Sequence, residues 1–201
     1  MVFNVSVEPP LFVTRQSFGD QAFSEVVRRP MLQTPTISIN NIPTSAVFGG
    51  SFTPTYAYTG DGATSVTSST GSTCSVSGGV VNYVGAGTCT LVAHATAGTI
   101  YAAVNGSAQS FSIAQATPSI SVSNIQTSAI TGGSFTPTFA YTGDGTKSVT
   151  SSTLSRCTVS GGVVNFVGGG TCTLTAQATA TANVAGATGS PQLFTISVDQ
   201  H

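Results

Sequence analysis

Cysteine is the most reactive side chain in this sequence, and its spacing is regular. Cys74 and Cys89 stand fifteen apart, and so do Cys157 and Cys172. Two pairs at equal spacing favour two disulfides, Cys74–Cys89 and Cys157–Cys172, each closing a loop whose constraint contributes on the order of 3 kcal/mol. Reduced, buried thiol pairs are the alternative, because the first residues show no export signal. A four-cysteine zinc site is disfavoured: there is no Cys-x-x-Cys knuckle, and the two pairs lie in different halves of the chain.

Other chemistry-bearing residues are few. Histidine occurs only at His94 and His201, and Gln177 replaces His94 where its surroundings recur, so His94 reads as a solvated strand residue. Asp61 and Asp144 each lie in a TGDG tetrapeptide. A hard cation such as calcium wants several oxygen ligands, so a lone Asp there is read as shaping the turn. Asp-Gly also predicts a tight turn with positive φ. No Gly-x-Ser-x-Gly elbow and no clustered His–acid pair accompanies the many serines. The carboxylate pair that glycoside hydrolysis needs is missing as well. GAGTCT and GGGTCT begin like a dinucleotide loop but lack its third glycine and following helix. Tyr56, Tyr58, Phe139 and Tyr141 would suit a sugar-stacking platform, but their spacing of two favours inward core positions. The expectation is a chain with no catalytic, cofactor-binding or metal-binding residues, and no enzyme.

The elements that carry these residues are written twice. GGVVNYVGAGTCTLVAHATA begins at Gly78, and GGVVNFVGGGTCTLTAQATA begins at Gly161. Cys157 follows Cys74 by the same interval that separates Pro118 from Pro35 and Phe194 from Phe111, and no gap is needed between Thr34 and Ala114. A period near eighty is too long for a solenoid unit and suits a small self-sufficient domain. The organisation read from this is an arm over 1–32, one domain over 33–114 and a second over 115–201.

Within each copy, short Thr, Val, Ile and aromatic runs alternate with Gly, Asn, Asp and Pro, and none shows convincing helical periodicity. In the first copy the runs are TISI, SFTPTYAY, SVTSS, CSVSG, VVNYV, TCTLVAHA and QSFSIA. Seven strands in about eighty residues predict a two-sheet sandwich. Cys89, Leu91, Ala93 and Ala95 fall on one face of their strand, Thr90, Val92, His94 and Thr96 on the other. The Cys-Ser/Thr-Val-Ser-Gly run, the Gly-Val-Val hairpin and the Gly-Thr-Cys-Thr-Leu strand together resemble bacterial immunoglobulin-like (Big-type) domains. Such domains recur in bacterial surface proteins and on tailed-phage structural proteins. The resemblance covers about 34–198 and implies an all-β chain of two tandem immunoglobulin-like β-sandwiches preceded by a short N-terminal arm. It departs from antibody domains in having no Trp.

Charged residues make up only 5% of the chain, against the usual quarter, and the net charge is −1. No basic surface is left to neutralise phosphates, so nucleic acid is excluded as a partner. No apolar run approaches the ~20 residues that cross a bilayer, so no membrane span is expected. Six of the eleven charges fall in the arm: Glu8, Arg15, Asp20, Glu25, Arg28 and Arg29. A short helix capped by Ser17 and stopped by Pro30 would line up Phe18, Ala22 and Val26. An arm of this length builds no core of its own. Phe3, Phe12, Phe18, Phe23, Val26, Arg28 and Arg29 are therefore read as an anchor.

The sequence is thus read as a non-enzymatic structural protein of a virus particle, a tailed-phage capsid decoration or appendage protein. Its partner would be a capsid or tail protein of the same particle, with room for a homo-oligomer or a host-surface glycan. Localisation in the virion follows from the absent signal, and an extracellular or cell-surface location is the alternative. The competing functions are a fragment of a secreted bacterial adhesin or stalk and, third, a carbohydrate-binding module.

Overall fold

The computed structural model describes residues 31–198. The arm's helix and its anchor residues Phe3, Phe12, Phe18, Phe23, Val26, Arg28 and Arg29 lie outside the described residues. The described chain is all β and contains no helix. The first copy forms β1 (Ile37–Ile39), β2 (Ser51–Phe52), β3 (Tyr56–Tyr58), β4 (Thr64–Ser68), β5 (Cys74–Ser77), β6 (Val80–Tyr83), β7 (Gly87–Ala95), β8 (Val104–Asn105) and β9 (Gln109–Ile113). The second repeats them as β10 (Ile120–Val122), β11 (Ala129–Ile130), β12 (Ser134–Phe135), β13 (Phe139–Tyr141), β14 (Lys147–Ser151), β15 (Cys157–Ser160), β16 (Val163–Phe166), β17 (Gly170–Ala178), β18 (Ala187–Thr188) and β19 (Gln192–Ser197). Here β11 is an added strand, replacing a single Val47–Ala114 bridge in the first copy.

In each copy one layer is built on the long central strand. β7 pairs with β4 on one side and with β9 and β8 on the other, and β17 does the same with β14, β19 and β18. The facing layer is β2-β6-β5, with β1-β3 beside it, and β12-β16-β15 with β10-β13 in the second copy. The layers meet because strand side chains alternate. Cys89, Leu91 and Ala93 are fully buried and Ala95 nearly so, while Thr90, Val92 and His94 on the other face are half exposed. Burying Leu91 alone is worth roughly 2 kcal/mol. Each copy has its own hydrophobic cluster, and no polar or charged side chain is buried among the described residues.

Three devices fasten the layers to one another. Cys74 on β5 is bonded to Cys89 on β7, and Cys157 on β15 to Cys172 on β17, each with Cα atoms 5.6 Å apart. No cysteine is free, so the reduced-thiol alternative does not describe this structure. Phe52, Tyr83 and Phe111 pack as an aromatic trio, with Phe52 and Phe111 edge to face at 5.7 Å. Phe135, Phe166 and Phe194 repeat it. The third device is a glutamine. Oε1 of Gln109 accepts from the Ile39 N–H at 2.7 Å, and its Nε2 donates to the Ile39 carbonyl at 2.9 Å. Its side chain thus pairs with β1 as a neighbouring backbone would. Gln192 does the same for Val122, at 2.7 and 2.9 Å.

Two expectations from the sequence are corrected. The run SFTPTYAY is two strands in separate hydrogen-bonded sheets, β2 on β6 and β3 on β1. Pro54 between them has no N–H to give to a ladder. The backbone released at the break is taken up by Asn41, which donates to the Thr53 carbonyl at 2.9 Å and accepts from the Thr55 N–H at 2.8 Å. The TGDG segments are likewise no hairpins: β3 pairs with β1 and β4 with β7, so TGDG carries the chain between layers. Its glycines do not have positive φ. They are there for clearance, since a Cβ on Gly62 would lie 1.9 Å from the Thr96 carbonyl oxygen. The positive-φ turn is Gly78-Gly79, at 57° and 78°, which closes the β5–β6 hairpin with the twist that two-residue hairpins require.

Candidate functional site

Four charged side chains belong to the described residues: Asp61, Asp144, Lys147 and Arg156. Asp61 is exposed, and its Oδ2 accepts from the N–H groups of Thr99 at 2.8 Å and Ile100 at 3.1 Å. Desolvation works to raise its pKa, but the backbone donors at Ile100 and Thr99 outweigh it and hold the carboxyl below its ordinary value. Asp61 therefore fastens the loop between β7 and β8 to the TGDG crossing. Asp144, its counterpart, meets a side chain instead: the Thr181 hydroxyl donates to its Oδ1 at 2.9 Å. Each carboxylate is thus occupied by its own protein. No group of three or more His, Cys, Asp or Glu that could hold a metal ion is present among the described residues.

His94 stands on the outer face of β7 with both ring nitrogens engaged. Nδ1 lies 2.7 Å from Asn105 Oδ1, and Nε2 lies 2.7 Å from Thr67 Oγ1. The amide oxygen only accepts, so Nδ1 carries the proton. The surroundings are a Ser/Thr ladder across the sheet, where Thr90 and Ser110 hydroxyls pair at 2.8 Å. The Thr67 hydroxyl that reaches Nε2 stands in the same row of polar side chains. The tyrosines expected as core are half-buried at its margin: Tyr56 and Tyr58 pack against the first cluster, Phe139 and Tyr141 against the second. Burial pushes the phenols of Tyr56 and Tyr83 up. The Tyr58 hydroxyl accepts from the Gly62 N–H at 3.0 Å, and Tyr141 from Gly145 at 3.1 Å. Tyr58 and Tyr141 thus brace the TGDG crossing.

The arrangement with the clearest purpose is the junction between copies. Ala114 still belongs to the first copy, since its N–H donates to the Ala46 carbonyl at 2.8 Å. Ala116 already belongs to the second, donating to the Asn183 carbonyl at 2.9 Å and accepting from the Ala185 N–H at 2.9 Å. Only Gln115 lies between them. Its Nε2 donates to the Thr181 carbonyl at 2.8 Å. Across the junction the Ala86 N–H donates to Asn183 Oδ1 at 2.9 Å. The one-residue connection is thus flanked by two side-chain ties, one from Gln115 and one to Asn183. Sequence reasoning missed Gln115 and Asn183. The available signal was a broken repeat, because their counterparts in the first copy are the apolar Leu32 and Ile100.

No protein-family model and no curated protein matches the sequence. Among solved structures, domains 4 and 5 of the S-layer protein SbsC align at 17% identity and a TM-score of 0.33, covering 83% of this chain and 98% of that one. The C-terminal 282-residue fragment of intimin, solved in complex with the intimin-binding domain of the translocated intimin receptor, aligns at 14% identity and a TM-score of 0.30, covering 90% of this chain and 55% of that one. The fibronectin(III)-like modules of Clostridium thermocellum CbhA align at 13% identity and a TM-score of 0.29, covering 82% of this chain and 95% of that one. Overlaps this loose transfer no function, partner or location to the present chain.

Proposed function

We propose that this chain is a non-enzymatic structural protein that works outside the reducing cytoplasm as a stiff, charge-poor spacer. In this reading 33–114 and 115–201 are two sandwich domains that fold independently, and 1–32 is the anchor that attaches them. The single observation carrying the proposal is the one-residue, side-chain-tied junction, which suits holding two domains at a set distance and serves no chemistry. The setting we favour is the virion of a tailed phage, with the arm on a capsid or tail protein and the domains projecting as a decoration or appendage. The two disulfides also support a second reading, a segment of a secreted bacterial adhesin or stalk, since such bonds persist in oxidising surroundings.

Mass spectrometry of purified particles from the source tests the first setting: the chain with its N-terminus intact is the expected finding, and its absence from particles but presence on cell envelopes favours the second. Deleting 1–32 tests the anchor. Both domains should stay folded while attachment to the parent particle is lost, and retained attachment by the folded, armless protein refutes that role.

A further inference from the structure

Exposed large apolar side chains are unevenly placed on this chain. The sheet faces carry Ser and Thr, whereas among the described residues seven of the ten exposed large hydrophobics lie at the two outer ends of the two-copy unit. At the end where the second copy finishes, Ile130, Leu154, Val167 and Val198 are exposed, Leu154 at 66%. The segments that carry them are linked, with Leu154 in the turn that Arg156 closes on the Thr153 carbonyl. Ile130 pairs with Ser197 beside Val198. A Cβ on Gly169 would lie 2.6 Å from Val198, the Gly169 carbonyl accepts from Arg156, and the Arg156 carbonyl accepts from the Val167 N–H. At the opposite end, where the first copy starts, Met31, Leu32 and Ile100 are exposed, Ile100 at 54%. The Gln33 N–H donates to the Ile100 carbonyl, which sets Leu32 beside it, and Asp61 fastens the same loop.

The repeat gives this distribution its meaning. The internal junction shows how the finishing end of one copy receives the starting end of another: Gly85 and Ala86 take Asn183 and its loop. At the positions equivalent to that junction, the outer ends differ in a concerted way. Leu32 and Ile100 stand at the starting end where the junction has Gln115 and Asn183. At the finishing end Leu154 replaces Gly71, Val198 replaces Gln115 and Arg156 replaces Thr73. Gln115 and Asn183 at the junction thus have apolar counterparts at the outer ends of the described unit, while Ile130 and Val167 keep the apolar character of Val47 and Val84. Each apolar end also carries one charge near it, the anion Asp61 at the start and the cation Arg156 at the finish.

We infer that the finishing end of one molecule binds the starting end of a second copy, head to tail, with Ile100 and Leu32 seated on Leu154, Val167 and Val198, and Arg156 facing Asp61. The contact is heterologous, so repetition extends it into a filament or a ring and does not close it as a dimer. Its area is only the end of one sandwich, at the low end of interface sizes, so self-association is weak and depends on concentration. Leu32 must pack beside Val198 and not in line with it, because both are equivalents of Gln115 and a strict continuation of the repeat would place them at one position. The inference is independent of what the arm attaches to.

Sedimentation velocity on the full chain, from micromolar to high concentration, tests it. The average mass should rise with concentration beyond the dimer. Ile100→Asp and Leu154→Asp should each weaken association at least about tenfold, since a carboxylate would have to be desolvated at the contact. Because both positions are exposed, both variants should keep the parent melting temperature. Leu32→Asp and Val198→Asp serve in their place if either fails to fold. Mixing the two variants decides the geometry: each retains one intact end, so the mixture should form a one-to-one dimer that grows no further. A full chain that stays monomeric throughout, a single variant that self-associates as strongly as the parent, or a mixture that forms no dimer overturns the inference.

Discussion

Replacing Gln109 by Leu removes a side chain that is neither catalytic nor fully buried, yet the structure makes it a costly loss. Ile39 is 3% exposed, and on this side its N–H and carbonyl have no other strand beside them. Both are satisfied by the one amide of Gln109, at 2.7 and 2.9 Å. Leucine fits the volume and offers neither donor nor acceptor. Two buried backbone groups left unpaired cost about 1–3 kcal/mol each, and the apolar surface that leucine buries offsets part of that, so the net loss should be roughly 2–4 kcal/mol. For a domain of this size that lowers Tm by about 10 °C or more. Differential scanning calorimetry reads it, with the other copy as internal control. Gln109→Leu should displace the transition of the first sandwich alone, and Gln192→Leu that of the second. Gln109→Glu separates hydrogen bonding from shape. At neutral pH its carboxylate accepts from Ile39 but turns a charged oxygen on the Ile39 carbonyl. Its folded pKa is thereby raised above its unfolded value, so the variant recovers stability below the unfolded pKa and loses it as pH rises through the folded one. A Gln109→Leu protein within about 0.5 kcal/mol of the parent would refute the reasoning, since surface-like changes fall in that range.

The remaining predictions concern the other fasteners. Replacing both Cys74 and Cys89 by Ala should cost on the order of 3 kcal/mol, read as a lower denaturant midpoint for the first sandwich under non-reducing conditions. Asp61, with its pKa depressed in the folded state, holds the 96–103 loop above the unfolded carboxylate pKa and releases it as pH falls through the folded value. The amides of Thr99 and Ile100 should therefore lose exchange protection on acidification in the parent, whereas Asp61→Asn shows a flat profile. Asn183→Ala removes the acceptor for the Ala86 N–H, so NMR relaxation should show the two sandwiches tumbling with less correlation while both melting transitions stay unchanged.

Much of the architecture was legible because repetition and alternation are properties of the chain itself. β7 alternates buried and half-exposed residues over most of its length, and no tertiary contact is needed to see that Cys89, Leu91 and Ala93 share a face. SFTPTYAY was not legible as two strands, because local pattern reports β character without saying which neighbour a strand will join. The proline was the visible clue, and the use of Asn41 to satisfy the break depends on a contact across fourteen residues. TGDG failed for a related reason. Asp-Gly favours a hairpin locally, but the strands on either side are drawn to different layers by their own partners, and the glycine serves only to clear the Thr96 carbonyl. The clamp of Gln109 was invisible, since its partner Ile39 lies seventy residues away.

The repeat also separates what each position is for. Residues that build a sandwich occur in both copies: the four cysteines, the two clamping glutamines, the asparagines beside the proline breaks and the Gly-Gly hairpins. Residues that differ between copies are free of that duty. Gln177 can replace His94, because the outer face asks only for a polar side chain whose hydrogen bonds reach its neighbours or water. The differences at the ends of the copies follow another rule. Leu32 and Ile100 become Gln115 and Asn183 at the point where a covalent link already holds the copies together and only their angle must be set, which directed hydrogen bonds do better than apolar packing. At the outer ends of the two copies the same positions are apolar, and a contact made there between separate molecules would draw on buried surface. A duplicated domain thus shows its interfaces through the places where the duplication is imperfect, even though its fold is stated by the places where it is exact.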